Sequence, residues 1–287
     1  MKNKLQGLLM TLVIAILVLS LIYIEDVKDA IVGSIEKCII GIVPSLFLNS
    51  VLSGVLIKCS GAFKPKRISY SKYNIFLAFL LGNICGYPIG AKILADLVKE
   101  NAITKEKAEI AICFSYASGP AYILGIVSTA VFRAKLLGFT AFISIFLSNM
   151  VLYILCTVKL KVKSDVNASC KGFSLTDAVM GSITSSANSM ISICSAIVFF
   201  SAIIALLPSL NPILAAILEI SNITSLQGSG MAFFVLTTML LSFGGLCVHM
   251  QIICLAGSSF RFKWFYLTRP IQLLLTAAFS AIGYLIV

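Results

Sequence analysis

Long apolar runs separated by short charged stretches are the main pattern along this chain. Runs of membrane-spanning length lie at residues 5–24, 38–57, 74–95, 108–132, 136–158, 175–207, 231–256 and 270–287. At a rise of 1.5 Å per residue, a helix of about 20 residues crosses the roughly 30 Å hydrocarbon layer of a bilayer. The pattern therefore predicts an all-α, polytopic helical membrane protein.

Composition predicts the same class of protein. Of the 287 residues, 59% are hydrophobic and 11% are charged, and the mean hydropathy is +1.04. Soluble domains carry about 25% charged residues, so this chain lacks the polar surface that a soluble fold of its size needs. A membrane β-barrel is excluded because its strands would be short and alternating.

Charge and cysteine usage narrow the function classes. The net charge is +11, but the basic residues lie in short runs between apolar segments, without the interleaved aromatic residues that base stacking needs. We therefore expect no nucleic-acid partner. The nine cysteines form no CxxC pair and the chain has one histidine, so we expect neither a metal site nor a cofactor.

Two regions interrupt the apolar pattern where a helix would otherwise continue. Gly82, Gly86 and Gly90 recur at four-residue spacing around Pro88, and Gly119-Pro120 follows downstream. Proline lacks an N–H and its ring clashes with the preceding turn, so a continuous helix is not expected. We interpret 74–95 as a hairpin, with close helix packing of the glycines as the alternative.

Basic loops orient the chain. Lys2 and Lys4 place the N-terminus in the cytoplasm, and residues 1–37 are expected to form a signal-anchor helix followed by an outside loop. The loops 58–72 and 159–171 are rich in lysine or arginine and are also predicted to be cytoplasmic.

Three apolar segments separate these two loops, although an even number of crossings is required between them. One segment must therefore be re-entrant. Residues 74–95 are the better candidate because their Gly and Pro provide a hairpin tip, and 108–132 are the rival. Thr104 is placed to cap the start of the helix that runs into 108–132, and this helix is expected to break at Ser115 to Pro120.

The second half is predicted to repeat this plan with the opposite orientation. It contains a hairpin at 212–228, entering from outside, and a broken helix at 231–256 interrupted at Phe243-Gly244-Gly245. Arg261, Lys263 and Arg269 predict a cytoplasmic loop before a last span at 270–287, which would end outside. We therefore predict two inverted repeats, residues 38–158 and 159–287, as in secondary transporters.

Polar side chains near these breaks are the candidate site. The candidate substrate-binding residues are Asn83, Tyr87, Ser115, Tyr116, Ser118, Glu219, Ser221, Asn222, Ser242 and Gln251. The candidate structural breaks are Gly82, Gly86, Pro88, Gly90, Gly119, Pro120, Gly244 and Gly245. We expect Asn83 and Ser115 to Ser118 to face Glu219 and Ser242.

Four features have a functional and a structural interpretation. Glu219 is either a solute or ion contact or a cap for backbone N–H groups. His249 is either a proton relay or a structural hydrogen-bonding group. Lys92 and Asp96 are either a surface ion pair or, for Lys92, an anion contact. The face of Gly181, Ser185, Asn188, Ser192 and Ser195 is expected to turn inward, to a partner helix or a hydrated cavity.

The motifs GYPIGAK at 86–92, SGP at 118–120, LEIS at 218–221 and SFGGLCVHMQ at 242–251 resemble the YlbJ family of sporulation integral membrane proteins. The similarity covers residues 44 to 269. That family is grouped with nucleoside recognition, or Gate, domains, whose relatives include nucleoside transporters with two inward-pointing hairpins and two unwound helices. The resemblance implies a role in endospore formation. Asn222 departs from it, standing where the family has Gly.

These patterns predict a cell-membrane permease for a small polar solute, with the bilayer as its surroundings and a coupling ion left open. The alternative is a non-transporting membrane component that supports spore envelope assembly. No HExxH, GxSxG, P-loop or GxGxxG motif is present, so no enzymatic activity is expected.

Overall fold

The computed structural model describes residues 2–63, 70–159, 174–257 and 260–287, and in these ranges the regular structure is helical. The helices long and apolar enough to cross a membrane are Ile24–Cys59, Lys135–Thr157, Leu175–Ala205, Gly230–Ala256 and Lys263–Ile286. The prediction of an all-helical chain with several spans is confirmed at this level. Large parts of the loops expected at 58–72 and 159–171 lie outside the described residues.

The helices of the first half run in the order predicted by the apolar pattern. They are α1 (Lys2–Ile22), α2 (Ile24–Lys37), α3 (Val43–Phe63), α4 (Tyr70–Cys85), α5 (Ile89–Lys99), α6 (Lys105–Ala111), α7 (Pro120–Tyr122), α8 (Ser128–Ala130) and α9 (Lys135–Lys159). Two π-helical turns, Cys38–Ile42 and Ile123–Val127, join α2 to α3 and α7 to α8.

The second half has fewer and longer helices. They are α10 (Leu175–Ala205), α11 (Pro212–Leu218), α12 (Gly230–Phe243), α13 (Gly245–Ala256) and α14 (Lys263–Ile286), with a 3₁₀ turn at Ile220–Ser225. Helix α10 packs against α2 and α3, while α14 packs against α9 and α12.

Residues 25–37, expected to form an outside loop, are helical instead. Helix α2 continues through the π-helical turn into α3, so the span begins at Ile24. Its less exposed positions, including Val27, Ile31 and Ser34, recur every three or four residues and so share one face. Because this face packs against α10, the acidic residues on the other side do not prevent helix formation.

Helices α4 and α5 form an antiparallel pair, the first hairpin, which turns at Gly86, Tyr87 and Pro88. The turn needs the positive φ of +82° that Gly86 adopts without strain. Gly82 and Gly90 lie against the backbone of Ser115, so the glycine spacing also serves close packing. The hairpin and the packing interpretations of these glycines therefore both describe the geometry.

Helix α6 begins at the predicted N-cap, since the Thr104 hydroxyl accepts a hydrogen bond from the backbone N–H of Lys107 at 3.4 Å. The helix ends at Ala111, and residues 112–119, the first unwound segment, leave the helical path before α7. A second break separates α12 from α13, where Gly244 and Gly245 have φ of +79° and +78°. Both breaks lie where the sequence predicts them.

Arg269 and the α10 stripe differ from the predictions. The last span begins at Lys263 rather than 270, and Arg269, placed in a cytoplasmic loop from sequence, is 4% exposed inside α14. Its guanidinium group donates a hydrogen bond to the carbonyl of Cys113 in the first unwound segment, so the buried charge has a polar partner within the protein.

On α10 the buried face carries Ser182, Ser186, Ser189, Ile193 and Ile197. The face predicted to turn inward is partly or fully exposed, and Asn188 and Ser195 are among its exposed members. The three buried serines each follow a residue of the predicted face by one position. Helix α10 therefore packs against α3 through the serines next to the predicted positions.

The close approach of Gly90 to the first unwound segment should make Gly90→Ala destabilising. The added Cβ would collide with the carbonyl oxygen of Ser115, and overpacking of this kind costs about 1–3 kcal/mol. Gly33→Ala in α2 is the control, because an added Cβ there meets nothing within 4 Å. Thermal unfolding in detergent should show a lower midpoint for Gly90→Ala only. Equal midpoints for the two variants would contradict this packing.

Candidate functional site

The central cavity lies where the two hairpins and the first unwound segment meet. Its volume is about 100 Å³. It is lined by Ile42, Ser45, Leu46, Cys85, Gly86, Tyr87, Ser118, Gly119, Ala121, Tyr122, Ile193, Ile197, Glu219, Ile220, Ser221, Val248 and Gln251. Small-molecule pockets typically enclose about 300–1,000 Å³, so the central cavity has room for only a few waters or a small polar group.

Glu219 is the acidic residue of the central cavity. It stands between α11 and the 3₁₀ turn, which pack on each other as the second hairpin, and it is 3% exposed. Its carboxylate accepts hydrogen bonds from the Ser221 N–H at 3.0 Å, from the Ser221 hydroxyl, and from the Asn222 amide at 3.3 Å. Glu219 therefore caps the second hairpin, as its structural interpretation requires, and it also lines the cavity, where contact with a solute or ion stays a prediction.

The opposite wall of the cavity comes from the first hairpin and the first unwound segment. The hydroxyl of Ser118 donates to that of Tyr87 at 3.2 Å, and the backbone N–H of Tyr87 donates to the carbonyl of Ala117 at 2.7 Å. The rings of Tyr87 and Tyr116 stack with centroids 5.2 Å apart. The hairpin tip is thus attached to the unwound segment by both backbone and side chains.

Carbonyl groups freed in the first unwound segment are bonded by side chains from three other helices. Asn83 donates to Phe114 at 3.0 Å, and Asn149 donates to Tyr116 at 2.8 Å. Arg269 donates to the carbonyl of Cys113. Unpaired carbonyls cost several kcal/mol in a bilayer, so these contacts make the unwound segment tolerable.

The side chains that perform this task also bond to one another. Asn149 donates to the Asn83 amide oxygen at 2.7 Å, and Gln272 donates to the Asn149 amide oxygen at 2.5 Å. All three are 0% exposed. This chain of amides joins α4, α9 and α14 behind the unwound segment.

At the second break, the freed carbonyl of Phe243 accepts a hydrogen bond from the first half of the chain. The Tyr116 hydroxyl donates to the carbonyl of Phe243 at 2.5 Å, and His249 Nε2 lies 3.1 Å from the same oxygen. Gly244 must be glycine for packing as well as for its φ, because a side chain there would meet the Tyr116 hydroxyl. His249 thus has the structural hydrogen bond that was one of its two predicted roles.

The candidate residues fall into two groups. The cavity wall brings together Tyr87, Ser118, Glu219, Ser221 and Gln251, and Asn222, which is not a lining residue, donates to the Glu219 carboxylate. In contrast, Asn83, Tyr116 and Ser242 form hydrogen bonds away from the cavity wall. The Ser242 hydroxyl lies 3.0 Å from that of Thr276.

The expected facing of Asn83 and Ser115 to Ser118 with Glu219 and Ser242 is found only in part: Ser118 and Glu219 line the same cavity, whereas Asn83 and Ser242 bond to other partners. The Ser115 hydroxyl is buried and lacks a hydrogen-bond partner among the described residues. Lys92 and Asp96 form an ion pair, with Nζ 3.8 Å from Oδ2, but it is not the predicted surface pair because the Lys92 side chain is 6% exposed.

Sequence reasoning missed the polar residues of α9 and α14. A stripe at four-residue spacing was present in each helix: Thr140, Ser144 and Ser148 in α9, and Gln272, Thr276 and Ser280 in α14. Thr276 donates to Ser148 at 3.0 Å, so the two stripes face each other. Polar stripes on apolar helices are frequent at helix–helix contacts and are the signal that could have identified them, although the stripe predicted on α10 shows that such a face is not always the buried one.

The fold and site define a multi-pass helical membrane protein with a small cavity at its interrupted helices, which Glu219 and several other polar side chains help to line. Within the described ranges, no group of three His, Cys, Asp or Glu residues is placed to hold a metal ion. Comparison with protein-family models, with curated proteins and with solved structures gives no match.

Loss of the Tyr116 hydroxyl should weaken the closure of the second break. Tyr116→Phe keeps the ring contacts but removes a hydrogen bond to Phe243, and a buried hydrogen bond contributes about 1 kcal/mol. Tyr266→Phe is the control because that side chain is 48% exposed. We expect a midpoint of thermal unfolding about 2–4 °C lower for Tyr116→Phe and unchanged for the control. An unchanged midpoint in both variants would show that the hydroxyl does not stabilise the break.

Proposed function

We propose that this protein is a permease that carries a small polar solute through the central cavity. The observation that supports the proposal is the convergence of two hairpin tips and two interrupted helices around Glu219. Non-helical backbone at membrane depth occurs where it is buried in protein or lines a polar cavity. A purely structural membrane component would gain nothing from so many interruptions at one place.

Two inverted repeats would explain how the four interrupted elements come together. Each half runs in the order helix, hairpin, interrupted helix, helix, beginning with α3 and α10 and ending with α9 and α14. The corresponding helices pack against each other, α3 on α10 and α9 on α14. Contacts between equivalent elements are expected near a pseudo-two-fold axis, which supports the repeat.

Movement of the hairpins would open the cavity. Tyr87 and Ser118 form one wall, and Glu219 and Ser221 form the other. The space between them is too small for a nucleoside-sized molecule, so uptake of a larger solute requires one hairpin to withdraw. The π-helical turns beside Ile42 and Tyr122 lie at the same cavity, and such turns frequently occur at functional sites.

On the sequence resemblance, we propose that this permease is related to the sporulation-associated YlbJ family and has a Gate domain similar to that of nucleoside transporters. In this proposal the protein lies in the cell membrane with its N-terminus in the cytoplasm and its C-terminus outside. A non-transporting role in spore envelope assembly is the alternative, and the transport measurement below separates the two.

Glu219 should be required for transport. Its carboxylate organises the second hairpin and provides negative charge at the cavity, and both are altered in Glu219→Gln. We expect flux into proteoliposomes, tested with nucleosides and small metabolites under sodium or proton gradients, to fall at least about ten-fold, the effect of losing a charge-assisted contact. Glu106→Gln, at an exposed position in α6, is the matched control and should keep full flux. Absence of flux for every solute under both gradients would favour the non-transporting role.

The inverted repeats predict that the two hairpins enter from opposite membrane faces. In a chain whose native cysteines are replaced, Lys99→Cys and Gln227→Cys place single thiols at exposed positions near the base of each hairpin. An impermeant thiol reagent should label Lys99→Cys from the cytoplasmic side and Gln227→Cys from outside. Labelling of both positions from one side would contradict the inverted arrangement.

A further inference from the structure

A second polar pocket lies at the far end of α3, α5 and α10 and shares no lining residue with the central cavity. Its volume is about 230 Å³. It is lined by Gly54, Ile57, Lys58, Lys92, Asp96, Lys99, Glu100, Ser182 and Ser185. Three lysines against two carboxylates leave the lining with a positive balance.

Lys92 is a buried lysine in this pocket, and its position is held by neighbouring side chains. Its ammonium group donates to the Ser186 hydroxyl at 3.3 Å, and that hydroxyl also accepts from Ser50 at 2.9 Å. The side chain of Lys92 is 6% exposed, and its separation from Asp96 is 3.8 Å. Asp96 is also shared with Lys99 at 3.9 Å, so its single charge does not neutralise both ammonium groups.

Ser182 supplies an unused hydrogen-bonding group beside Lys92. Ser182 is 1% exposed, and its hydroxyl has no hydrogen-bond partner among the described residues. A Cβ added at Gly54 would lie 2.9 Å from the Ser182 hydroxyl and 3.8 Å from the Lys92 ammonium, so both groups flank one point. Buried hydroxyls are normally paired, which indicates a missing partner here.

Lys58 approaches from the rim of the pocket. Its side chain is exposed, and a Cβ added at Gly181 would lie 2.6 Å from its ammonium group. The absence of side chains at Gly54 and Gly181 therefore leaves room for two lysine ammonium groups to reach the same space. Lysine ammonium groups bind phosphate oxygens as point charges, and a serine hydroxyl adds a directed donor.

We propose that this pocket binds a phosphate group, held by Lys92, Lys58 and the hydroxyl of Ser182. Two sources share this chemistry, a soluble phosphate and the headgroup of an anionic lipid. The loop that follows Lys58 is predicted to be cytoplasmic, where both sources are available. The proposal does not depend on transport through the central cavity.

The test measures ligand binding to the full-length protein purified in detergent. Inorganic phosphate is titrated calorimetrically against a chloride background, and native mass spectrometry compares the retention of phosphatidylglycerol with that of phosphatidylcholine. We expect Lys58→Gln and Lys92→Gln to weaken binding at least about ten-fold, and Ser182→Ala to weaken it about three- to ten-fold, from the loss of charged and neutral hydrogen bonds.

Matched controls separate the pocket from general effects of charge or packing. Ser189→Ala lies on the same buried face of α10, but its hydroxyl already donates to the carbonyl of Ser185 at 2.9 Å. Lys263→Gln removes an exposed lysine away from the pocket. Both should bind like the parent. If Lys92→Gln does not fold, Lys58→Gln and Ser182→Ala carry the test, since neither breaks the pair with Asp96.

Each outcome has a defined meaning. Saturable binding of inorganic phosphate with this ranking of variants supports a site for soluble phosphate groups. Selective retention of phosphatidylglycerol with the same ranking, and no binding of inorganic phosphate, supports a lipid headgroup site. Binding of neither ligand, or equal binding by pocket and control variants, overturns the proposal.

Discussion

The structure depends on supplying hydrogen-bond partners to backbone groups that leave the helical path within an apolar fold. The first unwound segment alone presents the carbonyls of Cys113, Phe114, Tyr116 and Ala117, and each accepts a hydrogen bond from another element. A lipid environment offers no substitute for these partners. The positions of α4, α9 and α14 around this segment follow from that requirement.

The same requirement explains why the two halves of the chain are interlocked. The hydroxyl of Tyr116, in the first unwound segment, donates to the carbonyl of Phe243 at the second break. The hydroxyls of Ser242 and Thr276 are hydrogen-bonded, and Thr276 in turn donates to Ser148 in the first half. With these groups satisfied, the polar side chains of Tyr87, Ser118, Glu219 and Gln251 still line the central cavity. Function is expected where polar groups remain after structural needs are met.

The helical class, the two glycine-dependent breaks and the tip of the first hairpin could be predicted because they depend on local chemistry. Pro88 and Gly86 interrupt a helix wherever they stand in an apolar run. The partners of the freed carbonyls could not be predicted in the same way, since Asn149 and Arg269 come from distant parts of the chain. Arg269 also shows the limit of charge counting, because a buried arginine gives no information about which side a loop occupies.

The candidate site could be predicted only in part, because its location depends on local chemistry while the role of each side chain depends on distant partners. Polar residues near a break either satisfy its backbone or face the cavity, and sequence proximity does not separate these roles. Asn83 lies near the first hairpin tip and serves the backbone, while Tyr87, four residues later, lines the cavity. Helix α4 ends between them, and the hairpin turn that begins at Gly86 directs Tyr87 to the cavity.

The meeting of the two halves at one cavity is the central claim, and proximity of Ser118 to Ser221 tests it most directly. In a chain with its native cysteines replaced, Ser118→Cys and Ser221→Cys are treated in membranes with a short bifunctional thiol reagent, and the fragments are separated after cleavage at a protease site inserted between them. The account predicts efficient joining of the two fragments, and none when Gln227→Cys replaces Ser221→Cys. Labelling of both thiols without joining would contradict a shared cavity.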